Sequence, residues 1–125
     1  KAISLLGQVE NIATIVPFTW AALQLRITPE PFGLWTLEAM SAGLPVIASE
    51  SGGTSEIITH EKDGFIVSPN NPWAVADAII RLADDESLRD RLAEAAALRS
   101  RDFTVEAFIA KLCGVYADLG AIARK

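Results

Sequence analysis

Two carboxylates, Glu30 and Glu38, flank the seven residues Pro31-Phe32-Gly33-Leu34-Trp35-Thr36-Leu37. A Pro-Phe-Gly loop lies just inside the first. Leu34, Leu37, Ala39 and Met40 then start an apolar pattern that suits a helix, with Gly33 at or near its first turn. A helix start presents unpaired N–H groups and a partial positive charge, which together make a site for phosphate. Glu30 falls on the loop before that start, and Glu38 about one turn into the helix. Neither carboxylate can serve a phosphate, but both can accept hydrogen bonds from hydroxyls. A ligand with phosphate in the middle and hydroxyls on either side, such as a sugar nucleotide, fits this layout. Spacing alone leaves a plainer alternative open: a charge near a helix N-terminus and a surface residue.

The elements that must hold this stretch can be read around it. Ile3-Ser4-Leu5-Leu6, closed by Gly7, reads as a first strand buried on both faces. Val9, Ile12, Ala13 and Val16 recur at helical spacing, so a helix is expected from Gln8 to Val16, ended by Pro17. Trp20 to Ile27 reads as a second strand with Leu23, Leu25 and Ile27 on one face. Arg26 then reaches from the strand end to solvent, on the side away from a phosphate. The central helix runs from Leu34 to Ala42, with Gly43 as its C-terminal cap and Pro45 forbidding continuation. Pro45-Val46-Ile47-Ala48 is a third strand. Ser51-Gly52-Gly53-Thr54 follows it, and glycines at such a turn let backbone approach a ligand closely. That turn is expected to form a second wall of one cleft, outside the carboxyl ends of the strands, with Thr54 or Ser55 capping a short helix.

Phe65-Ile66-Val67 is a fourth strand after the turn Glu61-Lys62-Asp63-Gly64. Three helices close the chain: Pro72 to Ala83, capped by Asn71; Glu86 to Arg99; and one that starts after Thr104 and runs to Leu119, before Gly120. The last shows an apolar stripe of Phe108, Leu112, Val115, Tyr116 and Leu119, read as packing, and Cys113 within it reads as a buried small hydrophobe. Asp84-Asp85-Glu86 reads as a charged helix cap rather than a metal set. His60, the single histidine, reads as a surface or capping residue. Strands alternating with helices make this an α/β chain with a parallel sheet and helices on both faces.

Composition narrows the function classes. Half of the 125 residues are hydrophobic, enough for one core and one domain. A formal net charge of −5 argues against nucleic-acid partners, which select basic surfaces. One cysteine cannot form an internal disulfide, so a reducing compartment is expected. No apolar run reaches membrane-spanning length. The sequence has no zinc spacing, no Ser/His/Asp set, no dinucleotide fingerprint and no Walker loop.

The residues Glu30-Pro31-Phe32-Gly33-Leu34, Leu37-Glu38-Ala39-Met40-Ser41-Ala42-Gly43-Leu44-Pro45-Val46-Ile47-Ala48, Gly52-Gly53, Glu56-Ile57 and Asp63-Gly64-Phe65-Ile66-Val67 carry a resemblance. It is to the family-4 glycosyltransferases, also called glycosyltransferase group 1, and it covers the chain from about Gly7 to the last helix. The resemblance implies the GT-B fold, retention of the donor's anomeric configuration, and a nucleotide-sugar donor with no obligatory metal or other cofactor. It implies a donor site of Glu30, Phe32, Gly33, Leu34, Trp35, Glu38, Gly52 and Gly53. In it Glu30 is the catalytic residue that orients the transferred sugar, Glu38 takes the ribose hydroxyls, and the helix start holds the diphosphate. Trp35 departs from the family's usual small aliphatic residue.

The same resemblance makes residues 1–125 part of the C-terminal, Rossmann-like donor-binding domain. Two βα units, the family's basic Arg and Lys pair and the acceptor-binding N-terminal domain have no match here. Alone, such a chain is expected to be inactive, and to rearrange or form a homodimer through an unpaired first strand. The acceptor is unknown, and the expected location is cytoplasmic, peripheral to a membrane only through the absent domain. The alternative function is a non-catalytic GT-B-like module that binds nucleotide-sugar or serves as a scaffold.

Overall fold

Three short parallel strands, β1 (Ala22–Gln24), β2 (Val46–Ser49) and β3 (Phe65–Val67), pair in the order β1-β2-β3 in a computed structural model that describes residues 3–122. The register sets Leu23 beside Ile47 and Ala48 beside Ile66. Parallel neighbours need crossovers. Helix α1 (Leu34–Ser41) supplies the first and α2 (Thr54–Ile57) lies in the second.

Residues of β2 alternate between two cores. Val46 and Ala48 pack with Ala39, Met40, Leu44, Ile57 and Ile58, whereas Ile47 packs with Phe65, Val67, Ala78 and Leu82 on the opposite face. That second face is covered by α3 (Pro72–Asp84). Helix α4 (Glu86–Ser100) contributes Ala96 to the first core and Leu92 to the second. All four residues of β2 are buried, which accounts for the apolar run Val46-Ile47-Ala48. Full burial of Met40, Ile47 and Phe65 contributes about 1.5–3 kcal/mol each.

The helix ends follow local chemistry. Gly43, at φ +74°, lets its own N–H reach the Met40 carbonyl and that of Leu44 reach the Ala39 carbonyl, closing α1 in a Schellman turn. Asn71 Oδ1 accepts from Ala74 N with Pro72 at the first position of α3, and Asp85 Oδ1 accepts from Leu88 N at the start of α4. The acidic trio at Asp84 is therefore a helix cap. His60 Nδ1 accepts the Ile66 N–H at 3.0 Å, and its ring stands edge-on to Phe65.

Several expectations from sequence are corrected. Ile3 to Leu6 is not a strand, and Ile3, Leu5 and Leu6 are exposed. A strand needs a neighbour to pair its N–H and C=O groups, and among the described residues none stands beside this run. The expected helix from Gln8 to Val16 is replaced by two 3₁₀ turns, Ile12–Thr14 and Val16–Phe18, the first capped by Asn11. Three β-branched residues in a row, Thr14, Ile15 and Val16, disfavour the α form, and Pro17 lies in the first turn of the second element. Only Ala22–Gln24 of the second stretch is strand. Its inward residue is Ala22, while Leu23, Leu25 and Ile27 are exposed.

The last helix, α5 (Val105–Ile122), runs through Gly120 rather than stopping before it. Phe108, Leu112, Val115, Tyr116 and Leu119 are exposed, and so is Cys113. Helical spacing tells which residues share a face, not whether anything covers it. No described helix is long and apolar enough to cross a membrane.

Candidate donor site

The loop before α1 and the loop before α2 meet at the carboxyl ends of β1 and β2. Glu30 and Gly52 form a parallel bridge. Glu30 N donates to Ser51 O at 3.4 Å, and Gly53 N donates to Glu30 O at 2.8 Å. A side chain at Gly52 would overlap the Glu30 carbonyl, and one at Gly53 would overlap the Phe32 backbone. The two glycines thus bring the loops together, and the Gly53 N–H is spent on Glu30 rather than left for a ligand. Beneath them the Thr54 hydroxyl lies 2.8 Å from Ser49 O and 3.1 Å from Ser51 O. This buried side chain ties the second loop to the end of β2.

Gly33, with φ +96°, is the N-cap of α1 and supplies no side-chain hydrogen bond. The N–H groups of the first turn are therefore left to an outside acceptor. Leu34 and Phe32 are exposed beside this start, Gly33 is buried, and Leu37 N closes the first turn on Gly33 O. Thr36 was not singled out from sequence. It is fully buried, and its Oγ1 has no hydrogen-bond partner among the described residues. That oxygen lies 3.5 Å from the place a Gly33 Cβ would take, directly under the helix start. Only its position, three residues past the N-cap glycine, marks it in the sequence.

The two carboxylates have different surroundings. Glu30 is held under the loop pair: its Oε2 receives Arg26 Nη1 at 2.6 Å and Gln24 Nε2 at 3.4 Å. Arg26, expected to reach into solvent, is exposed, and it also turns its guanidinium onto Glu30. Glu38 is exposed and lines a cleft of about 280 Å³ with Ile12, Ala13, Val16, Pro17 and Trp35. Trp35 packs against the first core, as does Val16. Phe32 lines a different pocket, with Phe103, Thr104, Val105 and Phe108. The structure thus joins Glu30, Gly52 and Gly53 in one backbone knot, with Gly33 beside the Thr54 and Ile57 side chains and with Glu38 and Trp35 farther along α1 on a separate wall. Among the described residues no three His, Cys, Asp or Glu side chains gather as a metal set.

A three-stranded parallel sheet packed with helices is the architecture of GT-B glycosyltransferase C-terminal domains. Similar folds occur in Anabaena HepE solved with UDP (TM-score 0.81, 27% identity, 90% of this chain and 31% of that one). The same protein solved with UDP-glucose aligns with TM-score 0.76 at the same identity, over 86% of this chain and 30% of that one. Residues 1–99 match the model of the glycosyl transferases group 1, and the chain belongs to that family. It is 38% identical over 89 residues to a D-inositol 3-phosphate glycosyltransferase of Corynebacterium glutamicum, covering 71% of this chain and 21% of that protein. It is 36% identical over 115 residues to the lipopolysaccharide core biosynthesis mannosyltransferase LpsB of Rhizobium meliloti, covering 85% and 32%. The chain spans about a fifth to a third of the length of these relatives.

Proposed function

We propose that this chain is the donor-binding part of a retaining glycosyltransferase that moves a sugar from a nucleotide-sugar to an acceptor hydroxyl. The observation that carries it is the uncapped start of α1 between Glu30 and Glu38. The N–H groups at Gly33, Leu34 and Trp35 hold the diphosphate. As the bond from the anomeric carbon to the diphosphate breaks, the electron pair stays on the phosphate. Fixed N–H dipoles stabilise that growing charge more than the ground state. The acceptor oxygen bonds the anomeric carbon, and its proton passes to the departing diphosphate oxygen, which leaves from the same face when configuration is retained. Glu30 takes hydroxyls of the transferred sugar and Glu38 those of the ribose. Gly52 and Gly53 serve by holding the Glu30 loop in place. No metal has a role in this scheme. Binding of UDP and UDP-glucose by HepE, a structural relative, supports a nucleotide-sugar donor.

The test is Glu30→Ala in the full-length protein. Loss of an orienting carboxylate lowers turnover by about 100-fold or more, while the nucleoside diphosphate binds as before. Unchanged turnover rejects the role of Glu30. Product anomeric configuration, read by NMR, tests retention.

A further inference from the structure

We propose that Arg26 is a positioning residue for Glu30, fixing which carboxylate oxygen the loop presents to the donor's sugar. This rests on the assignment of Glu30 to that sugar. Arg26 Nη1 and Gln24 Nε2 both donate to Oε2 of Glu30, at 2.6 and 3.4 Å. Oε1 receives no hydrogen bond among the described residues. The carboxylate is therefore divided: one oxygen is spent inside the protein, and the other keeps its lone pairs for a ligand hydroxyl.

Both ends of the glutamate are fixed. Its backbone is pinned by the exchange with Ser51 and Gly53. Its tip is pinned by a guanidinium whose own backbone N–H donates to Ser49 Oγ at 3.1 Å, on the last residue of β2. The tie to the buried strand continues past the end of β1, where the ladder has stopped. Arg26 and Glu30 stand four residues apart in loop, so their approach is not a by-product of a helix turn. With the arginine side chain 47% exposed, such a pair contributes little to stability. What it does provide is orientation. A free glutamate samples many rotamers, and a ligand must then bear the cost of ordering it. A carboxylate already held on rigid elements avoids that cost.

The experiment uses the full-length protein and calorimetry with UDP-glucose, GDP-mannose and ADP-glucose, each beside its own nucleoside diphosphate. The pair bound tightest by the wild type is carried forward. Arg26→Ala is expected to weaken the nucleotide-sugar by about tenfold, the scale of a lost charge-assisted hydrogen bond, and to leave the nucleoside diphosphate unchanged. Arg26→Lys, which keeps one charged donor, recovers part of the loss. The double variant Arg26→Ala/Glu30→Ala binds as Glu30→Ala does, because Arg26 acts only through Glu30. Arg26→Gln keeps most of the stem and serves if the alanine variant does not fold. Unchanged nucleotide-sugar binding, an equal loss for both ligands, or additive losses in the double variant each overturn the proposal. If Glu30→Ala itself does not affect nucleotide-sugar binding, or the wild type binds none of the ligands, the assignment of Glu30 has failed first and this proposal goes with it.

Discussion

Gly52 lies against the backbone of Glu30 with no room for a Cβ between them. The contact is a parallel bridge made after both strands have ended. It converts two loops into one rigid edge, and the edge fixes where the Glu30 side chain begins. The glycine pair does not need a ligand to explain it. Its constraint is the neighbouring loop, and its effect on a ligand is transmitted through Glu30.

Gly52→Ala is therefore expected to act on the fold and the site together. Gly52 sits at φ +66°, and an added Cβ meets backbone that cannot swing aside. Strain and overpacking of this kind cost about 1–3 kcal/mol each. A urea denaturation series should show the loss, and nucleotide-sugar binding should fall in the same variant. A variant with unchanged stability and weakened binding would point instead to direct contact between Gly52 and the ligand.

The loop–helix–strand run from Glu30 to Ser49 was legible in sequence because each step has a local signal. Gly33 and Gly43 bracket α1, Pro45 bars its extension, and β2 is apolar on both faces. β3 and the caps of α3 and α4 were legible for the same reason. Residues 3–20 were not. Ile3 to Leu6 has strand composition, but strand formation depends on a partner that local sequence does not report. The stripe on α5 failed in the same way. Arg26 was missed because alternation along an extended stretch says which side a residue starts from, not where a long side chain turns back. Here the strand ends at Gln24, so the alternation no longer applies two residues later.

Glu38→Ala should separate binding from folding. Glu38 is exposed and makes no side-chain hydrogen bond or ion pair among the described residues. Its removal should leave the melting temperature unchanged. If it holds ribose hydroxyls, affinity for the nucleoside diphosphate falls by about tenfold, on the scale of hydrogen bonds to a charged acceptor. Unchanged affinity removes Glu38 from the site.

Arg99 supports the second loop from behind. Its Nε donates to Ile57 O at 3.1 Å and its Nη2 to Glu56 O at 3.0 Å, satisfying carbonyls at the end of α2. Arg99→Ala leaves those carbonyls without the donor and is expected to cost about 1–2 kcal/mol. Hydrogen exchange should show the effect locally, with faster exchange at Ile57, Ile58 and Gly53 than at β2. Uniform acceleration across the sheet would mean that Arg99 holds the whole fold rather than this one turn.

Acid should uncover an ion pair far from the site. Arg81 Nη1 lies 2.7 Å from Glu61 Oε1. The Arg81 hydrogen bond, then its charge, holds the Glu61 carboxyl below its ordinary value of 4.5. A lowered folded value means that the unfolded chain takes up the proton first as pH falls. The stabilisation is thus fully present above 4.5 and is lost as pH drops through the lower folded value. Both side chains are about half exposed, so the effect is small. Urea midpoints of the wild type and Glu61→Gln should differ at about pH 6 and converge at about pH 2. A gap that persists in acid would show that the substitution acts through the turn at Glu61, which sits at φ +62°, rather than through its charge.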